Sequence, residues 1–253
     1  MRYFLCLVVC MITGFAHANP VFALEKDDLD GDGISDSMEW TVYYTDPMNP
    51  DTDGDGYIDG IETQNGYSPI VKDKKRNADV DTDKDGLSDA LEFQFKTDIK
   101  NPDTDGDGFL DGNEIKNGYS PLSIKPEKWE KKIEVNLKKQ RLHYSIHGVE
   151  LGTMVISTGK AAMPTPKGEF RILNKTKRAW SKSANLWMPY WMAFAGGGKY
   201  GIHELPEWPN GKKEGVNHLG RPVSHGCIRL SEQHAKFLYE WAPIGTKVAV
   251  KDS

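Results

Sequence analysis

The 253-residue sequence predicts a mainly β fold, of the sandwich or barrel type, in its C-terminal half, preceded by an acidic, loop-rich repeat module. Three observations point there. The charge is split: Glu25 to Pro121 carries 26 Asp and Glu against 9 Lys and Arg, whereas Leu122 to Ser253 carries 11 against 22. The acidic part repeats one twelve-residue pattern four times. The basic part alternates apolar and polar residues in short stretches broken by turns, as half-buried strands do. With 38% hydrophobic and 27% charged residues, a wholly disordered chain is excluded. No apolar run reaches the roughly 18–20 residues that cross a bilayer, which argues against an integral membrane protein.

Residues 1–18 have the pattern of an export signal. Arg2 supplies the charged start, Phe4 to Phe15 the apolar stretch, and Ala16-His17-Ala18 a cleavage site, with a second at Val21-Phe22-Ala23. Export to the periplasm, the wall or the cell surface is therefore expected. Cys6 and Cys10 leave with such a signal, so the mature chain keeps one cysteine, Cys227. A lone cysteine in an exported protein is an intermolecular link, an inert buried thiol or a nucleophile.

The acidic module is placed at 25–121. Its four loops carry Asp28, Asp30, Asp32, Asp36 and Glu39; Asp51, Asp53, Asp55, Asp59 and Glu62; Asp81, Asp83, Asp85, Asp89 and Glu92; and Asp103, Asp105, Asp107, Asp111 and Glu114. Each reads D-x-D-x-D-G-x-x-D-x-x-E. A hard cation such as calcium takes six to eight oxygens. Carboxylates at positions 1, 3 and 5 converge when glycine at position 6 turns the chain. The carbonyl of position 7 adds an oxygen, position 9 often acts through water, and Glu at 12 closes the site. The loops come in pairs, because Asn65-Gly66-Tyr67-Ser68-Pro69 recurs at Asn117-Gly118-Tyr119-Ser120-Pro121. Single helical turns are expected at Met38–Tyr44 and Ala90–Phe95. The register of these loops resembles thrombospondin type 3 calcium repeats, and the resemblance implies structural Ca2+ wrapped with little regular structure.

After a linker at 122–130, strands are expected at Ile133–Leu137, Leu142–Ile146, Val149–Ser157, Gly168–Leu173, Lys199–His203 and Thr246–Val250. One helix is expected, N-capped by Ser231, with Ala235, Leu238 and Trp241 on one face, ending before Pro243. Within this part lies Ser224-His225-Gly226-Cys227-Ile228-Arg229-Leu230. A histidine, an arginine and a tight glycine turn beside the cysteine favour thiolate. His203, 24 residues earlier, supplies a second imidazole, and cysteine with histidine is the minimum for thiol acyl transfer. Spacing alone leaves nucleophile and inert thiol both open. Zinc held by Cys227, His203 and His225 is disfavoured, since a nucleophile must stay free.

The segment 131–251 resembles the L,D-transpeptidase catalytic domain family. The motif 224–230 carries the resemblance, with Val155-Ile156-Ser157-Thr158-Gly159, Thr165-Pro166-Lys167-Gly168-Glu169-Phe170 and Gly220-Arg221-Pro222-Val223 before it. The family fold is largely β. The resemblance implies that Cys227 attacks the amide after the third residue of a peptidoglycan stem peptide and forms a thioester, without a catalytic cofactor. A neighbouring stem then yields a 3→3 cross-link, or a wall protein or water takes its place. His203 matches the general base, oriented by the Glu204 carbonyl, and His225 the motif histidine that polarises the site. Gly226 and Cys227 N–H groups match the oxyanion hole, Arg229 an ordering or carboxylate-binding position, and Ser224 a structural hydrogen-bond partner.

Glu204 stands where the family often has a small residue. The spacer running through Trp208–Lys213 is long and reads as a lid or substrate-side loop. Trp180, Trp187, Trp191 and Trp208 fit core packing better than a substrate groove. His218 reads as an exposed loop residue, and His143, His147 and His234 as surface or strand residues. The basic half suits an anionic wall polymer, and no nucleic-acid partner is expected. Rival readings are a calcium-dependent wall-binding or adhesion protein without catalysis, and an L,D-carboxypeptidase using water.

Overall fold

The computed structural model describes residues Asp27–Asp252, so the export signal lies outside the described residues. The chain divides between Lys75 and Arg76 into two units. The first holds the first two acidic loops. The second holds the third and fourth loops together with all the strands among the described residues. The boundary thus falls inside the module placed at 25–121, between its two pairs of loops.

Each acidic loop runs into a helix that starts at its ninth position. These are α1 (Asp36–Met38, continued by a π-helical stretch Glu39–Tyr43), α2 (Asp59–Asn65), α3 (Asp89–Phe95) and α4 (Asp111–Asn117). The repeats are thus more helical than the single turns expected. Their C-terminal ends explain why: Gly66 and Gly118 adopt left-handed conformations and close α2 and α4 with their own N–H groups. Glycine at loop position 6 has φ of +95° to +97° in all four copies. Its N–H donates to the first aspartate of the loop, at 2.9–3.2 Å. Only glycine holds that conformation without strain, so the sharp turn requires it.

The strands are β1 (Lys131–Asn136), β2 (Arg141–Ile146), β3 (Val149–Val155), β4 (Gly168–Arg171), β5 (Asn174–Ser181), β6 (Leu186–Ala195), β7 (Tyr200–Glu204), β8 (Ile228–Leu230) and β9 (Lys247–Lys251). They form a five-stranded sheet in the order β3-β2-β1-β9-β4 and a four-stranded sheet in the order β5-β6-β7-β8. Helix α5 (Glu232–Trp241) is capped by Ser231, whose Oγ accepts from the His234 N–H. Ile133, Leu142 and Val248 of one sheet, Met192, Ile202 and Ile228 of the other, and Leu238 of α5 share one fully buried core. The mainly β expectation therefore holds.

The β5–β6 hairpin and β8 went unrecognised in the sequence. β5 is largely exposed and rich in cations, so it carries no apolar alternation. β6 is almost continuously apolar and contains Pro189, which hides a period of two.

The segment 122–130, expected as a linker, is folded back. Ser120 N–H donates to the Glu127 carbonyl and Trp129 N–H to that of Gly118. Trp129 then stacks between Phe95 of α3, at 5.7 Å, and His147, at 4.3 Å. Leu87, Phe95 and Ile115 of the repeats are buried in one cluster with Ile146 of β2. The Lys131 ammonium donates both to the Lys116 carbonyl at the end of α4 (2.7 Å) and to the Trp241 carbonyl at the end of α5 (3.0 Å). One cation thus satisfies two helix C-termini, where the helix dipoles favour positive charge. Burial, and the nearby Lys175 ammonium, push Lys131 down to about 8. The third and fourth loops are built onto the β structure.

Phe95 is 3% exposed, and Phe95→Ala should cost about 3–5 kcal/mol of stability. Chemical denaturation should show that loss in the unfolding of the sheets as well as of the repeats. A loss confined to the repeats would show that the two do not unfold together.

Candidate active site

Strands β7 and β8 are parallel neighbours, with Ile202 opposite Ile228 and His203 opposite Arg229. Side chains alternate along a strand. Ile202, Ile228 and Leu230 therefore point into the core at 0% exposure, and His203 and Arg229 lie on the other face. His203 is itself buried, and its Nδ1 is bonded to the Glu204 carbonyl. A carbonyl only accepts, so Nδ1 carries the proton and Nε2 presents a lone pair. Burial, and to a lesser degree the Arg229 charge, push His203 down to about 3, which keeps the ring neutral. The Glu204 side chain plays no part in this bond. It pairs with the Lys213 ammonium at 2.8 Å, and that ammonium also reaches Glu232 at 2.9 Å.

Cys227 is half-buried and sits one residue before β8. The turn that presents it is closed by Ser224, whose Oγ donates to the Cys227 carbonyl (2.6 Å) and accepts from the Gly226 N–H (3.0 Å). Gly226 has φ of +110°, and a Cβ there would meet the Tyr200 ring at 2.5 Å. The segment 155–165 clamps this turn from behind. Ser224 N–H donates to the Thr158 carbonyl, and Ser157 and Arg229 exchange backbone bonds of 2.8 and 3.0 Å. Gly159 admits no side chain, since a Cβ would lie 2.2 Å from the Met163 carbonyl oxygen.

Two expectations are corrected here. The thiolate reading fails because burial pushes the Cys227 thiol up, outweighing the Gly201 backbone hydrogen bond and the Arg229 charge that pull it down. Sequence proximity suggested an electropositive site, but Arg229 is neutralised by the Glu214 carboxylate, at 2.8 and 2.9 Å from its Nη1. The Gly226 N–H is likewise engaged by Ser224 Oγ and is not open to an oxyanion. His225 is exposed.

The segment after Glu204, read as a lid, is strapped down. Both the Glu204–Lys213 and Arg229–Glu214 pairs hold it, with Glu214 and Arg229 side chains each 8% exposed. Glu207 exchanges backbone bonds with Trp187 on β6, and Leu205 N–H donates to the Leu230 carbonyl. His218 Nδ1 lies 3.0 Å from Glu214. The tryptophans divide. Trp191 is buried beside His203, with ring centres 5.8 Å apart, whereas Trp180 and Trp208 are 38% and 37% exposed, against the core reading. His143 bridges Glu150 and Thr153, and His234 belongs to α5.

In each acidic loop the carboxylates at positions 1, 3 and 5 bring oxygens within 4.8 Å of one another. The Oδ2 atoms of Asp30, Asp53, Asp83 and Asp105 are buried without a hydrogen-bond partner, as are oxygens of Glu39, Glu62, Glu92 and Glu114. The same two positions carry an unpartnered oxygen in all four copies. Bare buried carboxylates are costly, and a hard cation satisfies them. Burial and neighbouring carboxylates push Glu39, Glu62 and Glu114 up to about 7 and Glu92 to about 8.

The aspartate at position 9, expected to act through water, is also held by its own loop. Asp36 accepts from Leu29 N–H, Asp59 from Thr52, Asp89 from Thr82 and Asp111 from Thr104, so each braces the second residue of its own loop. Asp59 also groups with Asp32 and Glu39 of the preceding loop. Only the 23-residue offset between those two loops hinted at that grouping.

Comparison with known proteins matches this division. Residues 130–250 fit the model of the L,D-transpeptidase catalytic domain, and residues 28–50, 51–66, 81–98 and 103–118 fit the bacterial TSP3 repeat. The chain is similar to YciB of Bacillus subtilis (strain 168), a protein classed among the L,D-transpeptidases. Identity is 33% over 125 residues, covering 47% of this chain and 64% of that protein. It is 29% identical over 118 residues to L,D-transpeptidase 1 of Mycobacterium tuberculosis, covering 42% of this chain and 44% of that one. An L,D-transpeptidase structure from Stackebrandtia nassauensis is 30% identical with a TM-score of 0.41, covering 48% of this chain and 55% of that one. The chain thus spans less than two thirds of the length of each of these relatives. Residues 130–250 thus match the L,D-transpeptidase catalytic domain family, and four segments that match the bacterial TSP3 repeat precede them.

Proposed function

We propose that the protein is an exported peptidoglycan L,D-transpeptidase acting through Cys227 and His203. The observation that carries this reading is the neutral, buried His203, fixed as the Nδ1–H tautomer on the strand beside the one that follows Cys227. As Cys227 Sγ attacks the carbonyl carbon of the third stem residue, its proton passes to His203 Nε2. The C–N bond to the terminal D-alanine breaks, His203 returns the proton to the leaving amine, and a thioester remains. An amine of a neighbouring stem then attacks the thioester, loses its proton to His203, and forms a 3→3 cross-link. The proton finally returns to Sγ. The Cys227 N–H is the oxyanion donor in this scheme, since that of Gly226 is engaged. Arg229 orders the site through Glu214, and Ser224 holds the turn. A wall protein accepting the acyl group, or water, would use the same donor half-reaction.

Structural calcium in the four loops completes the reading. The aspartates at positions 1, 3 and 5 and the glutamate at 12 would hold it. Calcium there supplies positive charge against which these buried carboxylates ionise without mutual repulsion. Stem peptides are the partners, and the periplasm or wall the location.

Intact mass of the mature protein after incubation with a disaccharide-tetrapeptide tests the nucleophile. The wild type should release D-alanine and accumulate a thioester, and Cys227→Ser should do neither while keeping its fold. D-alanine release by Cys227→Ser would overturn the assignment and leave calcium-dependent wall binding as the reading to pursue.

The pH profile follows from the neutral pair. With His203 held near 3 and the thiol above its ordinary value, neither group titrates across neutrality. The profile of kcat/KM should lack the inflection that a histidine of ordinary pKa, about 6.5, would produce. An acid limb at that pH would show that the base is not the buried His203.

Chelation should destabilise residues 76–253 as a whole. Calcium at about 100 times its Kd adds roughly 2.7 kcal/mol to a fold that binds it. Calorimetry should show the melting point of this unit rising by about 5–10 °C on adding calcium. An unchanged melting point would count against cation binding in the third and fourth loops.

A further inference from the structure

The hairpin β5–β6 extends the site outward. Its register sets Thr176 opposite Trp191, Arg178 opposite Pro189 and Trp180 opposite Trp187. Directly opposed residues share a face, and so do residues two apart along a strand. Trp191, Arg178, Trp187 and Trp180 therefore lie along one face. The alternate residues turn the other way: Met192 is in the core, and Tyr190 meets Tyr239 of α5 at 5.8 Å. At the inner end of this track, Trp191 packs beside His203 and so close over Gly201 that a Cβ there would be 2.6 Å from its ring. The Gly201 N–H in turn donates a hydrogen bond to the Cys227 sulfur. At the outer end, Trp180 and Trp187 form a tilted pair with ring centres 4.8 Å apart, and Trp180 is 38% exposed. Arg178 lies over Trp187 at 4.4 Å and is tied to Glu207 of the strapped segment at 2.8 Å. The pair is thus held in place yet open to solvent.

The spacing identifies what would lie there. Thr176 and Trp180, which lie opposite Trp191 and Trp187, are four residues apart along β5, or about 13 Å. Resting on the transpeptidase reading above, the attacked carbonyl belongs to the third stem residue. Three extended residues span about 10 Å, and the lactyl ether that joins the first to its sugar adds about one residue more. With the carbonyl at Cys227, joined to Trp191 through Gly201, and the stem laid outward along the hairpin, the sugar ring of the donor would fall over the outer tryptophans. An indole face packs on the C–H face of a pyranose, and two tilted indoles offer a rigid apolar platform with little entropy to lose.

We propose that Trp180 and Trp187 form a saccharide platform that takes the sugar ring attached to the donor stem peptide. It confers preference for stems still carried on glycan over free stem peptides.

The test compares kcat/KM for a disaccharide-tetrapeptide with that for the free tetrapeptide of the same sequence, on the calcium-loaded full chain. The wild type should favour the sugar-bearing donor by about tenfold or more, the size of one good ring-stacking contact. Trp180→Ala should bring that ratio close to one, mainly through KM, and Trp180→Phe should keep most of it. A wild-type ratio of one would overturn the platform, as would a ratio unchanged in Trp180→Ala. Calorimetric titration with a disaccharide-tripeptide, which has no bond to break, separates this from failure of the transpeptidase reading. Binding by the wild type that is lost in Trp180→Ala supports the platform even if neither donor is turned over. Equal binding by both proteins overturns it.

Discussion

The parallel pairing of β7 with β8 is the constraint on which the rest of the site depends. It sets His203 level with Arg229 and brings the turn carrying Cys227 to the same edge. The isoleucines and leucine on the reverse of those strands are fully buried, so a slip of one residue would drive the imidazole and guanidinium into the core. Core packing therefore enforces the register that sets His203 beside Arg229. The backbone bonds between Ser157 and Arg229, and between Thr158 and Ser224, extend the same restraint to the turn.

Charge is handled in two ways around this pair. The buried Arg229 and Glu204 are each matched by an opposite charge from the strapped segment, Glu214 and Lys213. Cys227 and His203 themselves stay neutral, because desolvation outweighs the fields acting on them. A neutral thiol and a neutral imidazole avoid burying a net charge beside those pairs. The segment after Glu204 thus does electrostatic work under the site as well as closing its side.

The acidic loops belong to two different structural contexts. The first pair forms its own unit, with Gly60 of the second loop donating to Asp32 of the first. The second pair has the same internal bond, from Gly112 to Asp85, but also contributes Leu87, Phe95 and Ile115 to a cluster with β2. Loops of identical pattern are therefore anchored differently. Trp129 and Lys131 tie the second pair to the sheets, so the cation binding proposed above would bear on sheet stability there.

What the sequence by itself determined is what depends on short spacings. The positions of the carboxylates in each loop, the glycine that turns it, the capped α5 and the Ser-His-Gly-Cys turn are all set within about a dozen residues, where steric and hydrogen-bonding rules act locally. Strands β1 and β2 of the larger sheet were legible because their alternating apolar residues, Ile133 and Val135 and Leu142 and Ile146, are buried. The β5–β6 hairpin was not, because its cations and its unbroken apolar run obscure the alternation. Tertiary structure alone decided the protonation of Cys227 and His203, which depends on burial and on Glu214 neutralising Arg229 from fifteen residues away in the chain. It also decided that Trp191 is buried while Trp180 stays exposed, and that the chain divides between the loop pairs. Each of these follows from which distant segments exclude water, and spacing along the chain carries no record of that.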